Sequence, residues 1–329
     1  MRFGAAIFGP EGLEITDWER AFFRDFRPFG FILFSRNVET PDQLRKLCDD
    51  LREAAGHEAV VLVDQEGGRV QRLRAPHWRQ WLPPMDHMQV SDDPVRSLWL
   101  RYRLIAAELR AVGIDGNCAP CADIAGRVTH PFLRNRCYGD DVETVMDAAR
   151  AVAEAHLAGG VLPVAKHIPG HGLASVDSHK DLPRVTAPRA FLEAQDFAPF
   201  RALADLPLGM TAHVVYDDFD PEYPATTSRV MNDVIRTDIG FGGLLMTDDI
   251  SMEALEGDAA TRSRASIAAG CDVVLHCNGK APELTAVADA VGVMTDAAQA
   301  RAEAALTWRK APTPVDIGAL AEELDDLMN

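Results

Sequence analysis

The sequence predicts an α/β protein, a single (β/α)8 TIM-type barrel with long βα loops at its catalytic face, and three observations predict it. Eight short apolar runs recur along the chain, each followed by a segment with helical spacing. The runs are apolar throughout rather than alternating, as expected of parallel strands covered on both faces. With 329 residues the chain exceeds the ~250 of a typical barrel, which leaves room for long loops.

The strands are expected in "GAAIFG", "GFILFS", "AVVLVD", "GIDGNCAP", "GVLPVAKH", "LGMTAHVVY", "GGLLMTDD" and "CDVVLHCN". Helix starts are readable between them. "TDWE" offers a capping box at Thr16 and Glu19, and "ETPDQLRKLCDDL" has Thr40 as N-cap, Pro41 at the first position and leucines at 44, 47 and 51. "SDDPVRSLWLRYRLIAAELRAVG" and "DVETVMDAARAVAEAHLAGG" follow the same grammar, the second ending on glycines that suit a C-cap. A doubly wound sheet is the main rival, because alternation of strand and helix does not by itself close a barrel. No Pro/Gly/Ser-rich linker divides the chain and no repeat of solenoid length appears. Residues 1–329 are therefore read as one domain, with 312–329, "PTPVDIGALAEELDDLMN", as a packed terminal tail.

Hydrophobic residues make up 47% of the chain, enough for one large core or two modest ones. Asp and Glu outnumber Lys and Arg by 50 to 33, for a formal net charge of −17, and no basic run stands out. Nucleic acid and anionic membrane surfaces are therefore not expected partners. No segment reaches the ~18 uninterrupted apolar residues of a membrane span, and the N-terminus lacks the pattern of a signal peptide. Six cysteines (Cys48, Cys118, Cys121, Cys137, Cys271 and Cys277) are too sparse for a disulfide framework. The expected location is the cytoplasm.

Polar residues that interrupt the apolar runs fall at the runs' C-terminal ends: Asp64, Asn117, Asp123, Lys166, His167, His213, Asp248, Asp249, His276 and Asn278. Any one of them alone is more simply read as a strand terminator meeting solvent. Six strands that end on Asp, Lys or His shift the balance toward a working rim, the place where barrels collect catalytic residues.

Three chemistries could use such a rim. Metal-dependent hydrolysis asks for a His-x-His pair after an early strand, and "FGPEG" and "FSRNV" contain no histidine. His167 and His171 are four apart, but Pro169 and Gly170 oppose the helix that would align their rings on a metal. No metal and no organic cofactor are expected. A phosphate cradle is not supported either: "EGGRV" and "FGGLL" are too short and read as turns, and the Cys118–Cys121 pair, with Pro120 inside it, reads as packing. Glycosyl transfer to water remains, and needs a nucleophile or base on one side of the sugar and a proton donor on the other. Asp248, at the tip of a buried strand, suits the first role.

"VDQEGGRVQR", "KHIPGHG", "VDSH" and "MTDDISM", with "GFILFSRN" and "PATTS", together resemble the glycoside hydrolase family 3 barrel, in particular the single-domain bacterial β-N-acetylhexosaminidases of peptidoglycan recycling. The resemblance spans most of the chain in the expected order. It implies that Asp248 is the nucleophile forming a covalent glycosyl-enzyme intermediate, that His179 is the general acid/base and that Asp177 is the carboxylate paired with it. It further implies sugar-binding roles for Asp64, Arg72, Arg136, Lys166 and His167, and a carbohydrate partner, muropeptide fragments bearing N-acetylglucosamine. Three positions depart from the family's usual residues: Ile168 replaces an aromatic, Leu173 a small polar or acidic residue, and "RCYG" the usual "RSFG". They bear on substrate fit rather than on reaction type.

Many two-domain relatives take their acid from a glutamate on a following domain, and this chain is too short to hold one, so the donor is expected from the barrel's own loops. An imidazole suits the role because its ordinary pKa, ~6.5, needs little tuning, and an Asp two residues away can fix its tautomer. The glycines and proline of residues 169–172 suggest a mobile loop under His179. Two other readings stay open: a phosphorylase on the same scaffold, since an imidazole does not repel phosphate as a carboxylate would, and a sugar-binding barrel without turnover. Oligomeric state is not readable.

Overall fold

The computed structural model of the protein describes residues 2–176, 181–278 and 280–329. Eight parallel strands close a barrel: β1 (Gly4–Phe8), β2 (Pro28–Leu33), β3 (Val60–Val63), β4 (Gly116–Asn117), β5 (Leu162–Ile168), β6 (Leu208–Thr211), β7 (Leu244–Asp249) and β8 (Val273–His276). Each strand pairs with its neighbour in sequence, and β8 returns to β1 with Ala6 opposite Val274. That last pairing decides against the doubly wound sheet, which would leave two edges open.

All eight apolar runs become barrel strands, and the strand residues are buried with two exceptions. At the end of β7, Asp248 and Asp249 are only half-buried. The strand brings both carboxylates to the mouth of the barrel.

The helices start where their caps foretell. In α1 (Asp17–Phe26) the Glu19 N–H donates to Thr16 Oγ1 at 3.1 Å, and the Thr16 N–H donates to Glu19 Oε2 at 2.8 Å. Thr40 caps α2 (Pro41–Ala55) by accepting from the Gln43 N–H, and Leu44, Leu47 and Leu51 are buried against the barrel. Asp93 and Asp141 cap α3 (Pro94–Ala111) and α4 (Val142–Ala158) in the same way. The terminal helix α5 (Ile317–Leu327) packs on α3 through buried Leu324 and through Arg96, whose Nε and Nη2 reach Glu323 at 2.7 and 2.9 Å. Among the described residues no helix is long and apolar enough to cross a membrane.

Two runs are shorter as strands than their sequence suggests. "LGMTAHVVY" divides: β6 stops at Thr211, and Val215–Tyr216 leaves the barrel to pair with Arg184–Val185. The break falls at His213, whose Nδ1 bonds Thr226 Oγ1 at 2.7 Å and whose Nε2 bonds the Asp249 carbonyl at 3.1 Å. β4 keeps two residues, and beyond it Pro120 has no N–H to give a ladder.

Candidate active site

The C-terminal ends of β2, β3, β5, β6, β7 and β8 surround a pocket of about 310 Å3. Its lining combines apolar Phe34, Phe132 and Met252 with Asp64, Arg72, Arg136, Lys166, His167 and Asp248, and the Arg72 and Arg136 guanidinium groups stand 5.3 and 5.7 Å from the Phe34 and Phe132 ring centroids. Strand alternation would send Lys166 and His167 to opposite faces. The register of β5 against β6 shifts between Ala165 and Ile168, which breaks that alternation locally, and both Lys166 and His167 line the pocket.

Asp64 ends β3 and works with a residue that the sequence reading passed over. Glu66 lies two positions on in extended backbone, so both carboxylates share a face. Lys166 Nζ donates to Asp64 Oδ1 at 2.9 Å and reaches Glu66 Oε1 at 2.6 Å. Arg72 Nη2 donates to Asp64 Oδ2 at 2.9 Å, and Arg136 donates twice to Glu66, from Nε at 2.9 Å and Nη2 at 2.7 Å. Burial alone would raise the Asp64 carboxyl, but Lys166 and then Arg72 hold it well below the ordinary carboxylate range. Glu66 follows the same logic: burial is outweighed by Arg136 and Lys166, and its pKa falls to about 2. Burial pulls Lys166 down, yet Asp64 and Glu66 leave it raised, so the ammonium keeps its charge.

Asn117, part of the polar rim in sequence, acts behind this set rather than in the pocket. Its Oδ1 accepts from the Gln65 N–H at 2.9 Å and its Nδ2 donates to the Gln65 carbonyl at 3.1 Å, pinning the residue between the two carboxylates. His276 is likewise fully buried outside the pocket lining.

His167 Nδ1 donates to Asp123 Oδ2 at 2.7 Å, and its Nε2 lies 4.0 Å from Asp248 Oδ2. Asp248 Oδ1 accepts from the Asp249 N–H at 2.8 Å. Burial would raise the Asp248 carboxyl; His167 and His213 more than offset it, and the group is lowered. An ionised carboxylate without a close salt-bridge partner among the described residues is free to attack an electrophile. Asp249 does different work: it accepts from Ser251 N at 3.0 Å, Ser251 Oγ at 2.6 Å and Cys277 N at 3.2 Å, and so ties the turn after β7.

Cys121, Asp123 and His167 bring possible ligand atoms within 4.8 Å of one another, and those atoms are engaged with each other: the Cys121 thiol donates to Asp123 Oδ2 at 3.3 Å, the oxygen that also receives His167. All six cysteines are free thiols and buried.

The expected acid/base pair, Asp177 and His179, lies outside the described residues. The stretch leading to it is described. Pro169, Gly170, His171 and Gly172 are all buried, and the glycines serve close approach. A Cβ on Gly170 would stand 2.7 Å from the Asp196 carbonyl oxygen, and one on Gly172 would stand 2.1 Å from that of Ile124. The three departures also find a place: Ile168, Leu173, Cys137 and Tyr138 do not line the pocket, and Ile168 packs over Gly209 of the neighbouring strand. An aromatic in place of Ile168 would meet β6 rather than a sugar in this pocket.

Residues 17–307 match the Glycosyl hydrolase family 3 N terminal domain. The chain belongs to glycosyl hydrolase family 3. Its sequence is 39% identical over 286 residues to the beta-hexosaminidase of Alkalilimnicola ehrlichii, covering 84% of this chain and 82% of that protein. It is 35% identical over 290 residues to the beta-hexosaminidase of Pseudomonas aeruginosa, covering 87% and 86%. Among solved structures it superposes on NagZ from Neisseria gonorrhoeae in complex with N-trifluoroacetyl-D-glucosamine, with a TM-score of 0.88, 27% identity and coverage of 100% of this chain and 99% of that one. The resemblance carried by the motifs is thereby borne out, as is the closed barrel of a family 3 enzyme, a glycoside hydrolase.

Proposed function

We propose that this family 3 enzyme is a retaining β-N-acetylhexosaminidase that releases terminal β-linked N-acetylglucosamine from muropeptide fragments carrying anhydro-N-acetylmuramic acid, with or without peptide, in cytoplasmic peptidoglycan recycling. The names of its relatives support the hexosaminide part of that reading, and the resemblance of its motifs supports the muropeptide part. One observation carries the mechanism: an ionised Asp248 at the tip of β7 lines a pocket that also presents fixed donors and acceptors.

In the first step an Asp248 oxygen attacks the anomeric carbon while His179 gives a proton to the glycosidic oxygen, so the leaving sugar departs as an alcohol and a glycosyl ester remains. In the second, His179 takes a proton from water, which displaces Asp248 and restores the original anomeric configuration. Asp177 orients the His179 ring. Lys166 and Arg72 donate to sugar hydroxyls, and Asp64 accepts from them. Each Asp64 oxygen has a second lone pair to offer, since one is taken by Lys166 or Arg72. Arg136 and His167 complete the sugar contacts, and Phe34 and Phe132 offer apolar surface to the ring and its acetamido methyl.

Incubation with a 2-fluoro or other slow activated glycoside, followed by peptide mapping, tests this. The expected label sits on the peptide containing Asp248, and the first sugar released from substrate keeps its anomeric configuration. A label elsewhere, or an inverted product, overturns the mechanism.

A further inference from the structure

A buried carboxylate to which the mechanism above gives no part sits beneath the pocket. Asp123, in the loop after β4, is fully buried, and its two oxygens receive different donors. Oδ2 accepts from the His167 ring at 2.7 Å. Oδ1 accepts from the backbone N–H of His171 at 2.6 Å and, at 3.4 Å, from that of His167.

We propose that Asp123 is a positioning residue which sets, with one carboxylate, both the His167 ring facing the nucleophile and the stem of the loop that leads to the proton donor. The His167 ring and the described stem, residues 169–172, then share a common anchor. This inference rests on the glycosidase reading, which gives His167 and His179 their roles.

The ring half follows from hydrogen-bond chemistry. An ionised carboxylate only accepts, so Nδ1 of His167 carries its proton whether the ring is neutral or charged. Nε2 is left for the pocket. At 4.0 Å from Asp248 Oδ2 it is too far for a direct hydrogen bond, and a sugar hydroxyl can enter between or beside them. The opposite tautomer would turn a bare Nδ1 lone pair against the Asp123 carboxylate, with both groups buried.

The loop half follows from the backbone. Asp123 holds the His171 N–H, the His171 ring stands edge-on to that of His167 with centroids 5.6 Å apart, and Thr129 Oγ1 donates to the Gly172 carbonyl. With Gly170 seated on Asp196 and Gly172 on Ile124, the stem has little freedom. His179 lies eight residues beyond His171 in the chain. Any shift of the Asp123 carboxylate moves the ring and the stem together.

A carboxylate is required because the two main donors arrive at different oxygens. An asparagine offers a single acceptor oxygen and must give up one of them. The test uses the whole chain, as wild type, Asp123→Asn and Asp123→Glu. Long-range 15N–1H correlation reads the His167 tautomer, hydrogen exchange reads the His171 amide, and steady-state kinetics on 4-nitrophenyl N-acetyl-β-glucosaminide gives kcat and KM. The wild type is expected in the Nδ1–H form with a protected His171 amide. Asp123→Asn is expected to lose one or both features and about 10- to 100-fold in kcat/KM. Asp123→Glu, which keeps two acceptor oxygens, is expected to restore the Nδ1–H form and part of the loss.

A wild-type His167 in the Nε2–H form overturns the proposal without any variant. So does an Asp123→Asn protein with unchanged tautomer, amide exchange and kcat/KM. If the wild type fails to cleave the aryl glycoside, the functional reading falls, while the tautomer and exchange arms still decide the role of Asp123.

Discussion

Glu66 and Arg136 meet side-on through two hydrogen bonds, of 2.9 and 2.7 Å, with both side chains buried, and the same Glu66 oxygen that receives Arg136 Nη2 also lies 2.6 Å from Lys166 Nζ. One carboxylate thus holds two of the proposed sugar-binding cations. Replacing it by Gln is expected to leave Arg136 and Lys166 with a weaker partner, costing about 3–5 kcal/mol of stability by denaturant titration and raising KM more than it lowers kcat. In the wild type the depressed Glu66 pKa contributes stability that is present above its ordinary pKa of 4.5 and is lost as pH falls toward about 2.

Asp248→Asn is expected to keep the fold, because the nearest cationic nitrogen to the carboxylate among the described residues, His167 Nε2, is 4.0 Å away and Asn can still accept from the Asp249 N–H, and to lower kcat by at least about 10³-fold. Circular dichroism and single-turnover kinetics check the two halves. A folded variant with near-native turnover would remove the nucleophile from the reading.

His179→Ala separates the proton donor from the nucleophile. Aryl glycosides with acidic leaving groups depart without protonation, whereas natural glycosides leave as alkoxides unless they receive a proton. The variant is expected to lose far more activity, about 10²–10⁴-fold, on a disaccharide than on a 2,4-dinitrophenyl glycoside. Equal losses on both would argue for a structural part instead.

Asp196 sits 5% exposed under the Gly170 turn, and burial, then the charge of Asp123, push its pKa up to about 7. The folded group keeps its proton to near neutral pH while the unfolded carboxyl releases it near 3.8, so the folded state binds more protons between those values and stability falls as pH rises through them. Asp196→Asn removes that penalty. Its advantage over the wild type in denaturant unfolding is expected to grow by about 2 kcal/mol between pH 5 and pH 8. An advantage independent of pH would mean that Asp196 is already ionised in the fold.

Sequence by itself determined the strands, the caps and which polar residues stand at the strand ends, because these depend on neighbours in the chain. Apolar runs must be buried, Thr16 and Glu19 complete each other across three residues, and Asp248 is the penultimate residue of a strand that ends at the pocket. It had more trouble with Glu66 and Asp123. Glu66 was within reach, two residues from Asp64 on the same face of an extended segment, but its glycine-rich context read as a turn. Asp123 stood in the rim series with no sign that its oxygens divide between a ring and a backbone amide. Lys166 and His167 share the pocket where β5 slips register against β6, and Gly170 and Gly172 lie where a Cβ would meet the backbone of Asp196 and Ile124. Partners such as Glu66 with Arg136, 70 residues apart, are chosen by barrel closure and strand register. Those are properties of how segments meet, and pairing is enforced by the cost of leaving a buried charge without a partner, which the order of residues along the chain does not express.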